Sequence, residues 1–238
     1  NVVVSLGYRP PYLWEEMISF LARRAIPGVE TVREGTYCRT LSLQTAKGAP
    51  ARGWLAVSND PRRNVLNVTL SEALLPVLPQ VLGRIKNMFD LYCSPEAVGE
   101  VLSAMNELGE GLFVKGVRLP GCVDPFEMSV RAILGQQITV KAASTLAGRL
   151  VEELGERLDT PVEGLTHTFP APQRVVELGD SAIQRLGELG VIRGRAEAIL
   201  ALARAIDSGE LTFDQCRDPE EEMEKLRRIK GIGGWTAS

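Results

Sequence analysis

Ile229-Lys230-Gly231-Ile232-Gly233-Gly234-Trp235-Thr236-Ala237-Ser238 closes the sequence, and the reading of this stretch decides the fold. It follows a charged run with helical patterning, Pro219 to Ile229, so Gly-Ile-Gly sits between two helical segments. Neither glycine carries a Cβ. A tight hairpin can form there, and its backbone N–H groups can come close to an anion at the positive end of the following helix. A Gly-x-Gly hairpin is also simply a good turn, and the stretch alone leaves both readings open.

Composition narrows the choice. The chain has 238 residues, 45% of them hydrophobic, enough for a substantial core in one or two domains. It carries 27 basic and 30 acidic side chains, a formal net charge of −3. No global basic field coats nucleic acid, but a localised patch suffices to hold phosphate. Candidate patches are Arg23-Arg24, Arg62-Arg63, Arg193 with Arg195, and Arg227-Arg228 with Lys230; each reads equally well as a solvated face. The four cysteines are far apart, with no Cys-x-x-Cys pair, which supports neither a disulfide framework nor a zinc or iron–sulfur site and suits reduced, cytoplasmic thiols. No apolar run approaches the roughly 18–20 residues of a membrane helix, and the start is not a signal peptide, so no membrane partner is expected. His167, the single histidine, falls in a proline-flanked loop and reads as a surface residue, leaving a serine- or cysteine-type triad without a base. The chain begins at Asn1 rather than at Met, which suits a fragment or a chain with an upstream domain.

Two regions follow from patterning. Residues 1–92 mix strand and helix. Val2 to Leu6, Thr36 to Gln44, Arg52 to Val57 and Asn64 to Leu70 read as strands, the last with Leu66, Val68 and Leu70 on one face. Trp14 to Ala25 has helical spacing, and Ser71 is the expected N-cap of a helix from Glu72 to Phe89 whose opening turns Pro76 and Pro79 bend. Residues 93–238 read as helical throughout. Starts are expected at Ser94-Pro95, Asp124-Pro125-x-Glu127 and Thr139, and shorter helices at Pro172 to Glu177, Ser181 to Leu186, Arg193 to Asp207 and Pro219 to Ile229. The expected class is α+β: a small antiparallel sheet with helices, followed by an orthogonal all-α domain built on the hairpin.

Three blocks then fall in order. Leu119-Pro120-Gly121-Cys122-Val123-Asp124-Pro125-Phe126-Glu127 runs into Arg131-Ala132-Ile133-Leu134-Gly135-Gln136-Gln137-Ile138; Phe169-Pro170-x-Pro172 leads through Leu186-Gly187 to Arg195-Ala196-Glu197-Ala198-Ile199; and Gly231-Ile232-Gly233-x-Trp235-Thr236-Ala237 closes the set. With Pro10-Pro11-Tyr12-x-Trp14 and Val29-Glu30-Thr31-Val32 in the first region, nearly the whole chain resembles the helix-hairpin-helix DNA glycosylases of the DNA-3-methyladenine glycosylase II family. The resemblance implies a monomeric, cytoplasmic enzyme of bacterial type. It would bind double-stranded DNA, flip out an alkylated base and cut its N-glycosidic bond.

The roles it implies are specific. Gly231, Gly233 and Thr236 would hold phosphates beside the flipped sugar. The carbonyls of Arg227, Ile229 and Ile232 would hold a structural monovalent cation, with no cofactor required. Gln137 and Gln136 would supply the wedge that fills the vacated gap, although Gln137 stands where relatives place leucine, and the pair also reads as an exposed, helix-ending turn. Trp235 occupies the position where relatives that also cut the backbone carry a Schiff-base lysine. Its ring can stack on a cationic methylated purine or pack the hairpin helices.

The family's essential carboxylate, which stabilises a cationic sugar much as in glycoside hydrolysis, would lie beyond Ser238. Asp124 and Glu127 read as helix-start residues rather than substitutes. Residues 1–238 by themselves are therefore expected to be inactive, with the C-terminal part of the helical domain missing. The alternative is a non-catalytic module that binds damaged DNA, for example within an adaptive-response regulator fusion.

Overall fold

The computed structural model describes residues 1–213 and 218–237, and for Pro219, Trp235 and Ala237 the main chain alone. It forms two compact units.

The first unit comprises Asn1–Ala25, Glu30–Val123 and Thr160–Leu165. Its strands are β1 (Val2–Gly7), β2 (Glu30–Arg33), β3 (Thr36–Gln44), β4 (Pro50–Asp60) and β5 (Val65–Leu70), in the order β1-β5-β4-β3-β2 with every pairing antiparallel. The alternation expected in β5 is realised: Leu66, Val68 and Leu70 are fully buried while Val65, Asn67 and Thr69 are half-exposed. β2 was absent from the expected strands. Glu34 and Gly35 both take positive φ, +48° and +70°, the pairing of a two-residue hairpin turn that joins β2 to β3. The Thr31-Val32 pair before that turn is the signal that finds it.

Helices α1 (Trp14–Arg24) and α2 (Leu78–Met88) cover the sheet with Trp14, Met17, Ile18 and Leu21 from one and Val81, Ile85 and Met88 from the other. Each such side chain contributes roughly 1.5–3 kcal/mol by burial. Trp14 stacks on Phe89, ring centroids 5.6 Å apart, and its indole N–H donates to the Gly35 carbonyl at 3.0 Å. The prolines act as expected. Glu72–Val77 is a 3-10 turn containing Pro76, and the α-helix begins only at Leu78 with Pro79 in its first turn. Ser71 does not cap it; its hydroxyl accepts the Trp54 N–H of β4 at 3.2 Å.

The boundary expected at 92/93 lies at 123/124 instead. Helix α3 (Pro95–Leu102) and the 3-10 turn Ser103–Glu107 are helical as expected, but the chain then returns to the first unit. The buried Arg118 guanidinium donates to the carbonyls of Arg9, Pro11, Asp90 and Cys93. Gly121 N–H donates to Met88 O, and a Cβ at Gly121 would lie 2.6 Å from Asn87 O. Val123 ends buried in the sheet's core. These long-range anchors carry no local periodicity, so patterning could not see them.

The second unit comprises Ile26–Val29, Asp124–Asp159 and Thr166–Ser238. It is built from α4 (Pro125–Leu134), α5 (Val140–Leu154), α6 (Pro172–Val176), α7 (Ala182–Glu188), α8 (Arg193–Asp207), α9 (Pro219–Arg228) and α10 (Gly234–Ala237). Two starts are capped as expected: Asp124 accepts Glu127 N–H at 2.8 Å, and Thr139 accepts Ala142 N–H at 3.2 Å. Val130, Ile133, Leu134, Leu150, Ile199 and Leu202 form the fully buried centre, around which α4, α6 and α7 pack on α8. His167, expected on the surface, is half-buried: it bridges to Arg157, and its N–H donates to Gly28 O at 3.1 Å. Among the described residues no helix is long and apolar enough to cross a membrane.

Candidate nucleic-acid interface

The hairpin between α9 and α10 is set by one residue that looks inward and two that look outward. Ile232 is buried in the helical core, and burial of its side chain seats the turn. Gly231 and Gly233 flank it, both exposed. Gly231 takes φ +97°, and a Cβ there would lie 3.1 Å from the Ala198 Cβ of α8. Glycine is thus required on two counts, conformation and space. At Gly233 a Cβ would meet nothing within 4 Å, so no packing among the described residues demands glycine.

Within the hairpin, Ile232 N–H donates to Ile229 O and Thr236 N–H to Gly233 O, both at 3.0 Å. The N–H groups of Gly231 and Gly233 donate to no acceptor among the described residues. Two exposed residues whose main-chain N–H groups find no acceptor among the described residues supply donors that an anionic oxygen can use.

The turn joining α4 to α5 meets this hairpin. The Gln136 carboxamide Nε2 donates to Gly231 O at 2.8 Å and to Thr236 Oγ1 at 3.2 Å. The Arg195 guanidinium donates to the Gln136 main-chain carbonyl. Thr236 Oγ1 accepts from Gln136, so its own proton remains available to a further acceptor. Gln137, by contrast, is exposed and takes φ +55°, a left-handed conformation uncommon for a non-glycine residue.

Of the two glutamines expected at the wedge, Gln137 is exposed, whereas Gln136 has its side-chain donors engaged with the hairpin. Gly231, Gly233 and Thr236 come together as expected. The Trp235 side chain and Ser238 lie outside the described residues; the Trp235 main chain is the second residue of α10, after Gly234. Arg227 is exposed and ion-paired with Glu224 at 2.8 Å, and Ile229 is half-buried against the core. Arg195 stands in the sequence as part of a basic patch and of the second family block; no local signal announces a partner this distant in sequence. Asp124 and Glu127 are confirmed at a helix start. Glu127 is buried and ion-paired with Arg131 at 3.5 Å.

This chain matches two family models, the AlkA N-terminal domain over residues 3–124 and the HhH-GPD superfamily base excision DNA repair protein over residues 130–232. It is 39% identical to the Escherichia coli DNA-3-methyladenine glycosylase 2 over 98% of this chain and 78% of that protein. The chain belongs to the AlkA family of HhH-GPD base-excision repair proteins. AlkA relatives differ in extent. The chain is 34% identical, over its whole length, to a Mycobacterium tuberculosis protein described as a probable bifunctional transcriptional activator/DNA repair enzyme AlkA, yet it spans only 45% of that protein. The fold is shared with the 3-methyladenine DNA-glycosylase from Archaeoglobus fulgidus, with a TM-score of 0.76 and 22% identity over 98% of this chain and 76% of the other. The AlkA domain model ends where the structure divides, one residue past Val123. By this membership the chain is a DNA glycosylase of base-excision repair, hydrolysing N-glycosidic bonds.

Proposed function

We propose that the chain acts on double-stranded DNA containing alkylated bases of the 3-methyladenine type. The hairpin grips the backbone while the damaged nucleotide is flipped out and its base excised. A base inside a duplex is out of reach of any catalytic group, so backbone grip and flipping precede chemistry. The observation that carries this reading is the pair of exposed glycines, Gly231 and Gly233, whose N–H groups find no acceptor among the described residues. Thr236 adds a hydroxyl donor beside them.

Gln137, exposed in the turn, fills the gap left by the flipped nucleotide and offers its amide to the orphaned partner base. Trp235 stacks on the cationic purine. With tryptophan and not lysine at this position, no Schiff base with the sugar forms, and the enzyme is monofunctional.

A monovalent cation suits the hairpin. The main-chain carbonyls of Arg227, Ile229 and Ile232 are hard oxygen donors, the type that alkali and alkaline-earth ions favour over transition metals. Ile229 O accepts one hydrogen bond and keeps a second lone pair. When bound, the ion would add positive charge beside the gripped phosphate.

The protein is expected to bind duplex DNA as a monomer. The natural protein is placed by this reading in the bacterial cytoplasm. The test is base release from methylated duplex DNA by the protein carrying this chain, compared with its Gly233→Ala variant. The variant should fold normally and lose most of its release at limiting enzyme. Equal release by the two proteins counts against the grip.

A further inference from the structure

The geometry points to Gln136 as the positioning residue that holds the phosphate grip and the gap-filling turn in one register. The inference rests on the DNA-binding reading of the hairpin and adds to it a link that none of the expected roles contains. Gln136 lies in the turn after α4, half-buried, one residue before the exposed Gln137. Its side chain reaches the hairpin on both sides of Gly233, at Gly231 O (2.8 Å) and at Thr236 Oγ1 (3.2 Å). Its main-chain carbonyl is held in turn by the Arg195 guanidinium from α8.

This set of bonds fixes three things at once. The two N–H groups of the carboxamide are both used, so the side chain cannot turn over without breaking both bonds. The Thr236 hydroxyl, having accepted one of them, is left to donate away from Gln136, the polarity a phosphate oxygen requires. And Gln137, in a left-handed conformation at φ +55°, is anchored by the residue just before it. The gap-filling side chain and the phosphate donors, far apart in sequence, are presented as one rigid element. Coupling of this kind makes insertion and phosphate capture cooperative: a turn already pinned to a captured hairpin needs no further ordering to enter the duplex.

The test uses the protein carrying this chain, with duplexes bearing a tetrahydrofuran abasic analogue or no lesion. Gln136→Glu preserves shape and removes both donors; Gln136→Met removes them without adding charge and serves if the first variant does not fold. Affinity for both duplexes is measured across a salt series, together with Gln137→Ala and the double variants. A merely structural role would leave the salt slope and the coupling unchanged. The expected result is a loss of at least tenfold in affinity for the tetrahydrofuran duplex and a salt slope reduced by about one phosphate contact. Gln137→Ala, costly in the parent, should cost little in the Gln136 variant. Additive losses from Gln136 and Gln137 substitutions with an unchanged salt slope overturn the inference. Absence of any preference of the unsubstituted protein for the tetrahydrofuran duplex overturns the DNA-binding reading itself, which is a separate outcome.

Discussion

Gln136 Nε2 donates to the main-chain carbonyl of Gly231 at 2.8 Å, across a separation of 95 residues. That bond joins the turn after α4 to the hairpin, whose Ile232 is buried in the helical core. It also orders the four residues that matter. Gly231 and Gly233 are exposed with N–H groups that find no acceptor among the described residues, Thr236 keeps a proton to give, and Gln137 is exposed in the adjoining turn.

The two hairpin glycines should respond oppositely to alanine. Gly231→Ala meets a positive φ and the Ala198 Cβ at 3.1 Å, and it should destabilise the fold by roughly 1–3 kcal/mol. Gly233→Ala meets nothing within 4 Å, so its melting temperature should match the parent while its affinity for duplex DNA falls. Thermal denaturation of the two variants side by side decides this. Equal destabilisation would refute the assignment of Gly233 to the ligand side of the turn.

At Gln137 stability and function should separate. Glycine there relieves a left-handed conformation that costs L-residues about 1–2 kcal/mol, against a glycine entropy penalty of roughly 0.5–1 kcal/mol. Gln137→Gly is therefore expected to be as stable as the parent or slightly more so, yet to lose lesion preference at least tenfold. Competition binding between lesion-bearing and intact duplexes measures that preference; its retention would remove Gln137 from the gap-filling role.

Much of the fold was legible because its signals are local. The Leu66-Val68-Leu70 alternation, the Asp124 and Thr139 caps and the breaks imposed by Pro76 and Pro79 all act within one turn or one strand, and each appears where expected. What sequence missed depends on distant partners. Ser71 looks like an N-cap until Trp54 of β4 takes its hydroxyl, and the boundary at Val123 is made by Arg118 and Gly121 reaching back to Arg9 and Met88. The same holds at the site. Gly231, Gly233 and Thr236 were legible as a motif, whereas Gln136 and Arg195 act through neighbours that no spacing rule reveals.

The α9 segment offers a pH-dependent check on how the hairpin's first helix is anchored. A hydrogen bond from Lys225, together with one from the Thr212 N–H, holds the Glu222 carboxyl below its usual range against the opposing effect of burial. A carboxylate with a lowered folded-state pKa adds stability above its unfolded pKa, and this is lost as pH falls through the folded value. Glu222→Gln should therefore lower stability at neutral pH, with the difference from the parent shrinking under acid. Urea denaturation at pH 7 and pH 3 reads this directly; a difference that grows on acidification contradicts it.

The central claim is that the exposed amides of the Gly231–Gly233 hairpin grip the DNA backbone during base excision. The most direct measurement is the affinity of the Gly233→Ala protein for a duplex carrying a tetrahydrofuran abasic analogue, taken alongside its melting temperature and its single-turnover release of methylated purines. The account predicts an unchanged melting temperature, affinity at least tenfold weaker, and release slowed at subsaturating enzyme. Parent-like affinity and release in a fully folded variant would contradict it.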